Sequence, residues 1–344
     1  MSDSSLILAH LLHLVVSSIL VFFAVALLME GCLFIFRIKS PRIRATCRSL
    51  LILKLPLDMF LRHLFPKEAF INFNPFSCMQ YLEKFIINLL PAHLKGSALA
   101  TADPSLANLM ATHIPSLWLK TFLIGIILIS AFLFGRVVLR LFKSTHYLNT
   151  ICRSAQPCLR TITNEQLRNA LKKSRVSILM SADVSTPFAA KRHTILFPNG
   201  LVKELSQDEF EAVVAHELEH LRWCDPMARL VNSILTSLFW WIPMQRWIKK
   251  LEEEQEQASD LSIINYRLDH HALATALVKT ASKGVHVKYP VAALCRLVSQ
   301  KSLLFRRLKT ILEDNSAYLL NRPLPPRILE SALVSSSLIL FWIC

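Results

Sequence analysis

The eight cysteines of this 344-residue chain include no C-x-x-C pair. Paired spacings of that kind mark many zinc sites, and regular cysteine frameworks mark small disulfide-rich domains, so the sequence predicts neither class. Scattered cysteines suit the reducing cytoplasm. The sequence also lacks internal repeats, low-complexity segments and a base-reading module. Although 39 basic residues outnumber 24 acidic ones, we predict no nucleic-acid partner, because the basic residues cluster beside apolar runs.

Long apolar runs are what the sequence has in excess. Hydrophobic residues make up 53% of the chain and the mean hydropathy is +0.41, which is too apolar for an ordinary soluble domain of this length. Residues 6–29 and 117–142 are long enough to span a bilayer, 50–65 is a weak candidate interrupted by charges, and 328–344 is a short apolar tail. No lysine or arginine precedes the first run, so a signal peptide is the poorer interpretation.

The basic residues beside these runs predict the orientation of the chain. Three lie at 136–143, and five follow the first run without an acidic residue among them, namely Arg37, Lys39, Arg42, Arg44 and Arg48. The positive-inside rule then places 37–48 and the chain from 143 onward in the cytoplasm and 66–116 outside, which requires 50–65 to cross. We attribute the net charge of +15 to this topology and to attraction to anionic lipid.

The most informative motif is H-E-x-x-H, which runs from His216 to His220. On an α-helix the spacing of four residues puts both imidazoles on one face, where two ring nitrogens can bind one Zn²⁺. Glu217 would then act as general base on a water bound to that metal, the arrangement used to hydrolyse a peptide bond. A capping box at Ser206–Glu209 predicts the start of this helix, and we expect its end near Arg222.

The segments after the motif must supply a third protein ligand. Asp225-Pro226 predicts the start of the next helix, with Asp225 as its cap. The candidate ligand lies in the acidic stretch 252–260, for which a solvated acidic face is the alternative interpretation. The apolar run 227–242 joins the two ligand-bearing helices. It is either a hairpin arm that dips into the membrane and returns, or a buried helix of the peptidase domain.

Two motifs together make the sequence similar to a known family. H-E-x-x-H, followed after about 35 residues by E-x-A-x-D, resembles the BlaR/MecR-type membrane zinc peptidases, which are metallopeptidase family fifty-six and are related to HtpX-type and CAAX-prenyl endopeptidases. The resemblance implies that Glu256 is the third zinc ligand and that Asp260 supports a ligand histidine. Ser259 stands where the family often has cysteine, and Trp240 to Pro243 matches the family's Trp-x-x-Pro.

A short segment upstream of the active helix extends the resemblance. The family places an edge strand there that holds the substrate backbone, which implies the same role for Thr186, Pro187, Phe188, Ala189 and Ala190. An unpaired strand edge is a template for an extended peptide, and Pro187 favours an edge position because it has no N–H to donate to a ladder. A second apolar strand, 194–198, should follow.

We therefore predict a mainly α membrane protein with several transmembrane helices and an α+β gluzincin-type zinc peptidase domain that carries a small edge-stranded sheet. The membrane region would be 1–149, the peptidase domain 150–314, and a linker with the C-terminal apolar helix 315–344. The resemblance implies a protein of the bacterial inner membrane whose zinc domain faces the cytoplasm.

The expected activity is that of a membrane-embedded zinc-dependent endopeptidase with one Zn²⁺ per chain. Its partners would be the lipid bilayer and a cytoplasmic or membrane-proximal protein or peptide substrate, and the cleavage would be regulatory or directed at the chain itself. A non-catalytic membrane receptor or signalling scaffold is the alternative, although such a protein has no use for Glu217. The oxyanion needs a further donor, for which the sequence offers four candidates without choosing among them: His193, Tyr266, His270 and His271.

Overall fold

The computed structural model describes residues 3–64, 116–191, 193–283 and 301–312. Three long helices come first: α1 (Asp3–Ile35), α2 (Pro41–Leu64) and α3 (Ser116–Ser154). A smaller α+β unit follows, with strands β1 (Gln156–Pro157), β2 (Ser177–Ser181), β3 (Phe188–Lys191) and β4 (Thr194–Pro198). Its helices are α4 (Glu165–Ser174), α5 (Asn199–Glu204), α6 (Gln207–Arg222), α7 (Asp225–Leu238), α8 (Gln245–Ser262), α9 (His270–Lys283) and α10 (Lys301–Leu312).

Two of the described helices are long and apolar enough to cross a membrane. The stretches are Ser18–Ile35 in α1 and Lys120–Ser154 in α3. Many of their large apolar side chains are exposed, among them Phe34 in α1 and Phe142 in α3. The predicted weak span 50–65 falls largely in α2, which does not meet the same standard because charged residues interrupt it. Within the described residues only two candidate spans are present, so the expectation of several transmembrane helices is not confirmed there. The predicted tail helix 328–344 lies outside the described residues.

The third helix links the apolar region to the α+β unit without a break. It runs on to Ser154 because the segment after the apolar run contains neither glycine nor proline. The division predicted at residue 149 therefore falls inside a helix. Leu148 and Ile151 of its last turns are buried beside Leu196 of the sheet, so the end of the long helix is part of the core of the α+β unit.

The small sheet has the strand order β1-β2-β4-β3. The two central strands, β2 and β4, are parallel, while β3 is antiparallel to β4 and carries a register shift between Ala189 and Lys191. The strand predicted at 194–198 is β4 itself. The strand predicted at 186–190 begins two residues later, at Phe188, because Pro187 cannot donate to a ladder and pairing starts after it. β3 lies at an edge of this sheet, as expected.

The helix that carries H-E-x-x-H packs against the sheet and is buried on nearly all sides from Glu209 to His220. The predicted capping box is present: Ser206 Oγ accepts the backbone N–H of Glu209, and Glu209 accepts the backbone N–H of Ser206. The ring of Phe210 lies 5.1 Å from that of Phe197 in β4, centroid to centroid. This packing fixes the rotation of α6, and with it the direction in which both histidines point.

Helices α7 and α8 form a helical hairpin. α7 has 14 residues, or roughly 21 Å, which is shorter than the hydrocarbon core of a bilayer. At its tip, Trp240 Nε1 donates to Ser130 Oγ of α3, and Trp241 Nε1 donates to Ser18 Oγ of α1. The hairpin therefore touches both apolar helices at its tip and returns α8 to the side of the α6 histidines.

A buried carboxylate anchors the loop that precedes α4. Glu211 of α6 accepts hydrogen bonds from the backbone N–H groups of Thr163 and Asn164, from Thr163 Oγ1 and from Gln207 Nε2. Burial alone would raise the pKa of Glu211, but the hydrogen bonds from Thr163 and Gln207 hold it below its ordinary value. The stabilisation is therefore present above the pKa of the unfolded chain and is lost as the pH falls through the folded value.

We expect Glu211→Gln to lower the free energy of unfolding by about 2 kcal/mol, because an amide accepts these donors less strongly and adds a donor of its own. Asp208→Asn, an exposed acid on the same helix, is the matched control and should change stability little. Thermal unfolding of the detergent-solubilised chain measures both variants. Equal midpoints for Glu211→Gln and wild type would show that this network does not hold the loop.

Candidate metal centre

Three potential ligands from two helices meet at one point. Nε2 of His216 and Nε2 of His220 lie 3.1 Å apart on one face of α6. Oε2 of Glu256, on α8, lies 3.6 Å from the first and 3.7 Å from the second of these nitrogens. All three side chains are buried. Tetrahedral ligands about 2.0–2.1 Å from a zinc ion stand roughly 3.3 Å from each other, so the three atoms are spaced as a metal site requires.

A carboxylate stands behind each imidazole. Asp260 Oδ1 lies 3.0 Å from Nδ1 of His216, and Asp225 Oδ2 lies 2.8 Å from Nδ1 of His220. A carboxylate at Nδ1 holds the proton on that nitrogen and leaves Nε2 with its lone pair. Asp260 therefore sits where the sequence prediction put it, behind a histidine, whereas Asp225 is a partner that the prediction missed.

Asp225 was expected to cap α7, and the structure corrects that assignment. The residue at the N-cap position is Cys224, whose φ of 55° is left-handed and whose side chain makes no capping hydrogen bond. Asp225 is instead the first helical residue, because its carboxylate is drawn to His220. Cys224 is exposed. An acid five residues after the second histidine is the sequence signal that could have suggested the pairing.

The donor set itself calls for a cation. Two imidazole lone pairs and a carboxylate oxygen converge within 3.7 Å of each other, and each would repel the others if nothing positive lay between them. Burial lowers the pKa of His220, but the charge of Glu256 and the hydrogen bond with Asp225 outweigh it and raise that pKa to about 9. The negative charges of Glu256 and Asp225, which favour a proton on His220, are the charges that a metal ion at this point would neutralise.

Three arginines from three helices balance the carboxylates around the cluster. Arg42 of α2 pairs with Asp225 at 3.3 Å, and Arg229 of α7 pairs with Glu256 Oε1 at 2.6 Å. Arg307 of α10 donates to both oxygens of Asp260, at 2.6 and 2.8 Å, and lies 3.3 Å from Glu256 Oε2. None of these three roles is predictable from the sequence, because nothing local to residues 42, 229 or 307 indicates where α2, α7 and α10 pack.

These pairings keep the supporting acids ionised despite their burial. Burial alone would raise the pKa of Glu256, but His220 and Arg307 hold it well below its usual range. The pKa of Asp260 is likewise lowered, since Arg307 and His216 outweigh the burial, and that of Asp225 is lowered because His220 and Arg42 do the same. The site is thus a charged cluster whose two imidazoles remain oriented at neutral pH.

Glu217 lies beside the cluster at the edge of the sheet. It is 2% exposed, and its Oε2 accepts the backbone N–H of Ala189 in β3 at 2.9 Å. Its Oε1 has no hydrogen-bond partner among the residues that the structure describes. A buried carboxylate oxygen without a protein partner is costly, and here that oxygen is open to a water or to a proton transfer. The same contact shows that the free edge of β3 faces α6.

The four predicted oxyanion donors differ in what they already bind. Tyr266 donates to Glu219 Oε1 at 2.8 Å and accepts from Arg222, which occupies its hydroxyl. Nδ1 of His193 lies 2.9 Å from the carbonyl oxygen of Ser174, at the exposed turn between β3 and β4.

The two remaining candidates are neighbours at the start of α9. His271 is exposed. His270 is half-buried, its Nδ1 has no hydrogen-bond partner within the described part of the chain, and burial lowers its pKa, so the ring is held neutral. Of the four, His270 has a buried ring nitrogen without a hydrogen-bond partner among the described residues.

Comparison with known proteins assigns the family. A sequence model of the family described as BlaR1 peptidase M56 matches residues 65–311, which is more than half of the chain. The chain belongs to this family. The match contains the whole His216, His220 and Glu256 cluster and confirms the resemblance inferred from the sequence motifs. No curated protein matches the chain.

The matched family is a family of metallopeptidases, and BlaR1-type peptidases depend on a metal ion. The two apolar helices are consistent with a membrane protein. Helices α1 and α2 lie N-terminal to the matched residues, so the contact between Arg42 and Asp225 joins a segment outside the family match to the centre of the peptidase.

Proposed function

We propose that this BlaR1-type peptidase is a zinc-dependent endopeptidase that cleaves peptide bonds of a cytoplasmic or membrane-proximal protein at the membrane. The observation that carries the proposal is the convergence of His216, His220 and Glu256, each already oriented or charge-balanced by a charged side chain. Glu217 lies next to that point with one oxygen unpartnered among the described residues. A scaffold that had lost catalysis would have no reason to keep a buried carboxylate in that condition.

Each residue has a distinct role in this proposal. A zinc ion held by His216, His220 and Glu256 would supply a Lewis acid and a water of lowered pKa. Glu217 accepts the proton of the attacking water at its carboxylate and returns it to the leaving amine. Asp260 and Asp225 keep the imidazoles in the tautomer that leaves Nε2 free for a metal.

The substrate backbone would bind along the free edge of β3. That edge faces α6, and an extended peptide could add there as a further strand by main-chain hydrogen bonds. In the structure the N–H of Ala189 is taken by Glu217. An arriving substrate carbonyl would accept this N–H and release Glu217 towards the attacking water, which couples occupancy of the strand to availability of the base.

The proposal is tested most simply with the purified full chain in detergent. We expect it to cleave casein, to lose that activity on treatment with a metal chelator, and to regain it when zinc is restored. Cleavage that continues after zinc has been removed to undetectable levels would contradict the proposed chemistry.

The proposed orientation places the peptidase unit in the cytoplasm. We expect single-cysteine variants that keep Cys152 or Cys158, at the end of α3 and in the loop after β1, to resist an impermeant maleimide in intact cells and to react after lysis. A variant that keeps Cys78, in the segment predicted to lie outside, should react without lysis. Labelling of Cys152 in intact cells would reverse the assigned topology.

A further inference from the structure

Three of the five basic residues that follow α1 contact the peptidase unit. Arg48 is fully buried and donates to Glu254 Oε2 at 2.7 Å and to Glu30 Oε1 at 2.6 Å. Arg44 lies 3.1 Å from the other oxygen of Glu254. Attraction to anionic lipid is one of the two reasons given above for the net charge of the chain. Arg48 cannot contribute to it, because a buried arginine cannot contact lipid headgroups. These charges instead dock α2 onto the helix that carries Glu256.

Arg42, which lies closer to α1 than Arg44 and Arg48, contacts the carboxylate behind His220 directly. Its Nη1 lies 3.3 and 3.4 Å from the two oxygens of Asp225, and its guanidinium stacks over the Trp223 ring with 4.1 Å to the centroid. Trp223 Nε1 in turn donates to Glu219 Oε2 at 3.2 Å. Arg42 is thus held by Trp223, which follows the end of α6, and by Asp225, the first residue of α7.

The carboxylate of Asp225 is shared between Arg42 and the imidazole of His220. Its side chain is only 3% exposed, so water cannot replace a lost partner, and an uncompensated buried charge is strongly unfavourable. With Arg42 present, the carboxylate is fixed 2.8 Å from Nδ1 of His220. Without Arg42, it would lose its nearest guanidinium and the contact that fixes it on the side away from His220.

We propose that Arg42 is a positioning residue of the metal centre, which makes the zinc affinity of the peptidase depend on the docking of the juxtamembrane helix α2. The chain of contacts runs from α2 through Arg42 and Asp225 to His220. Because α2 begins six residues after α1 ends, a displacement of α1 would move α2 and Arg42 and would alter the position of His220. This inference rests on the proposed zinc site.

The test measures zinc affinity in full-length protein, with Glu217→Gln as the parent so that the chain cannot cleave itself. Competition against a chelating dye gives the Kd for zinc. We expect Arg42→Gln to weaken binding about 10-fold, the lower end of the range for loss of a group directly behind a ligand, because Arg42 acts on His220 through Asp225. Arg42→Met, which keeps an aliphatic stem against Trp223, should do the same, and Arg42→Lys should recover most of the loss. Lys39→Gln removes one exposed charge from the same segment and should bind zinc like the parent.

A double-substitution cycle shows whether the effect passes through Asp225. Asp225→Asn should weaken zinc binding, and adding Arg42→Gln to it should weaken binding no further, since the two residues act in series. Parental affinity in either folded Arg42→Gln or Arg42→Met protein would overturn the proposal, as would independent, additive losses in the cycle. A parent that binds no zinc would overturn the proposed function instead, so the two failures are distinguishable.

Discussion

Glu217→Gln is expected to abolish proteolysis while the protein keeps its fold and its zinc. Glutamine has the same shape and can still accept the Ala189 N–H through its amide oxygen, but it cannot take a proton from water. Loss of a general base lowers turnover by about 10²- to 10⁴-fold. Casein cleavage by the purified variant, measured together with its bound zinc, separates the chemical step from the integrity of the site.

The matched control is Glu219→Gln, the same substitution two residues further along the motif. Glu219 bonds to Tyr266 and Arg222 rather than to the ligand cluster, so this variant should lose stability but keep the larger part of its activity. Cleavage by Glu217→Gln at the wild-type rate would point to another base or to a contaminating protease.

Ala189→Pro is expected to reduce casein turnover by about 10-fold or more with zinc still bound, because it removes the N–H at the free edge of β3 and distorts the strand. In the structure that N–H bonds to Glu217, so the proline removes both a substrate donor and a partner of the base. The effect should appear in kcat/KM, since the strand is proposed to bind the substrate backbone.

Ala189→Ser is the control for this position, because it keeps the backbone N–H and adds only one small polar atom to a buried site. It should cleave casein at a rate close to that of wild type. If folded Ala189→Pro also cleaves at the wild-type rate, β3 is only part of the fold and the substrate binds elsewhere.

What the sequence could predict was local. The capping box at Ser206 and Glu209 and the apolar spacing along α6 are complete within one helix, so both ends of that helix were predicted correctly. The helical periodicity also predicts that the two histidines lie on one face of α6. Glu256 and Asp260 could be named only through the resemblance to BlaR1-type peptidases, since no local rule indicates which of several acids on α8 faces α6.

What the sequence could not predict depends on how separate helices approach each other. Asp225 has the local signature of a helix cap, but its contact with His220 prevailed over that preference. Arg42 and Arg48 have the signature of a cytoplasmic flank, yet they pair with acids of the peptidase unit. In both cases a charged contact between two helices in a buried setting outweighs a weak local tendency, because a buried charge must be compensated. The Asp225–His220 contact spans only five residues, whereas those of Arg42 and Arg48 join distant parts of the sequence.

The zinc content of purified full-length protein tests the central claim most directly. Metal analysis should find one zinc per chain in wild type and in Glu217→Gln, and almost none in Glu256→Ala, which removes the ligand contributed by α8. Glu253→Ala, which removes another acid of the same helix that pairs with Arg306, should retain the full content. Equal zinc in Glu256→Ala and wild type would contradict a metal centre built from His216, His220 and Glu256.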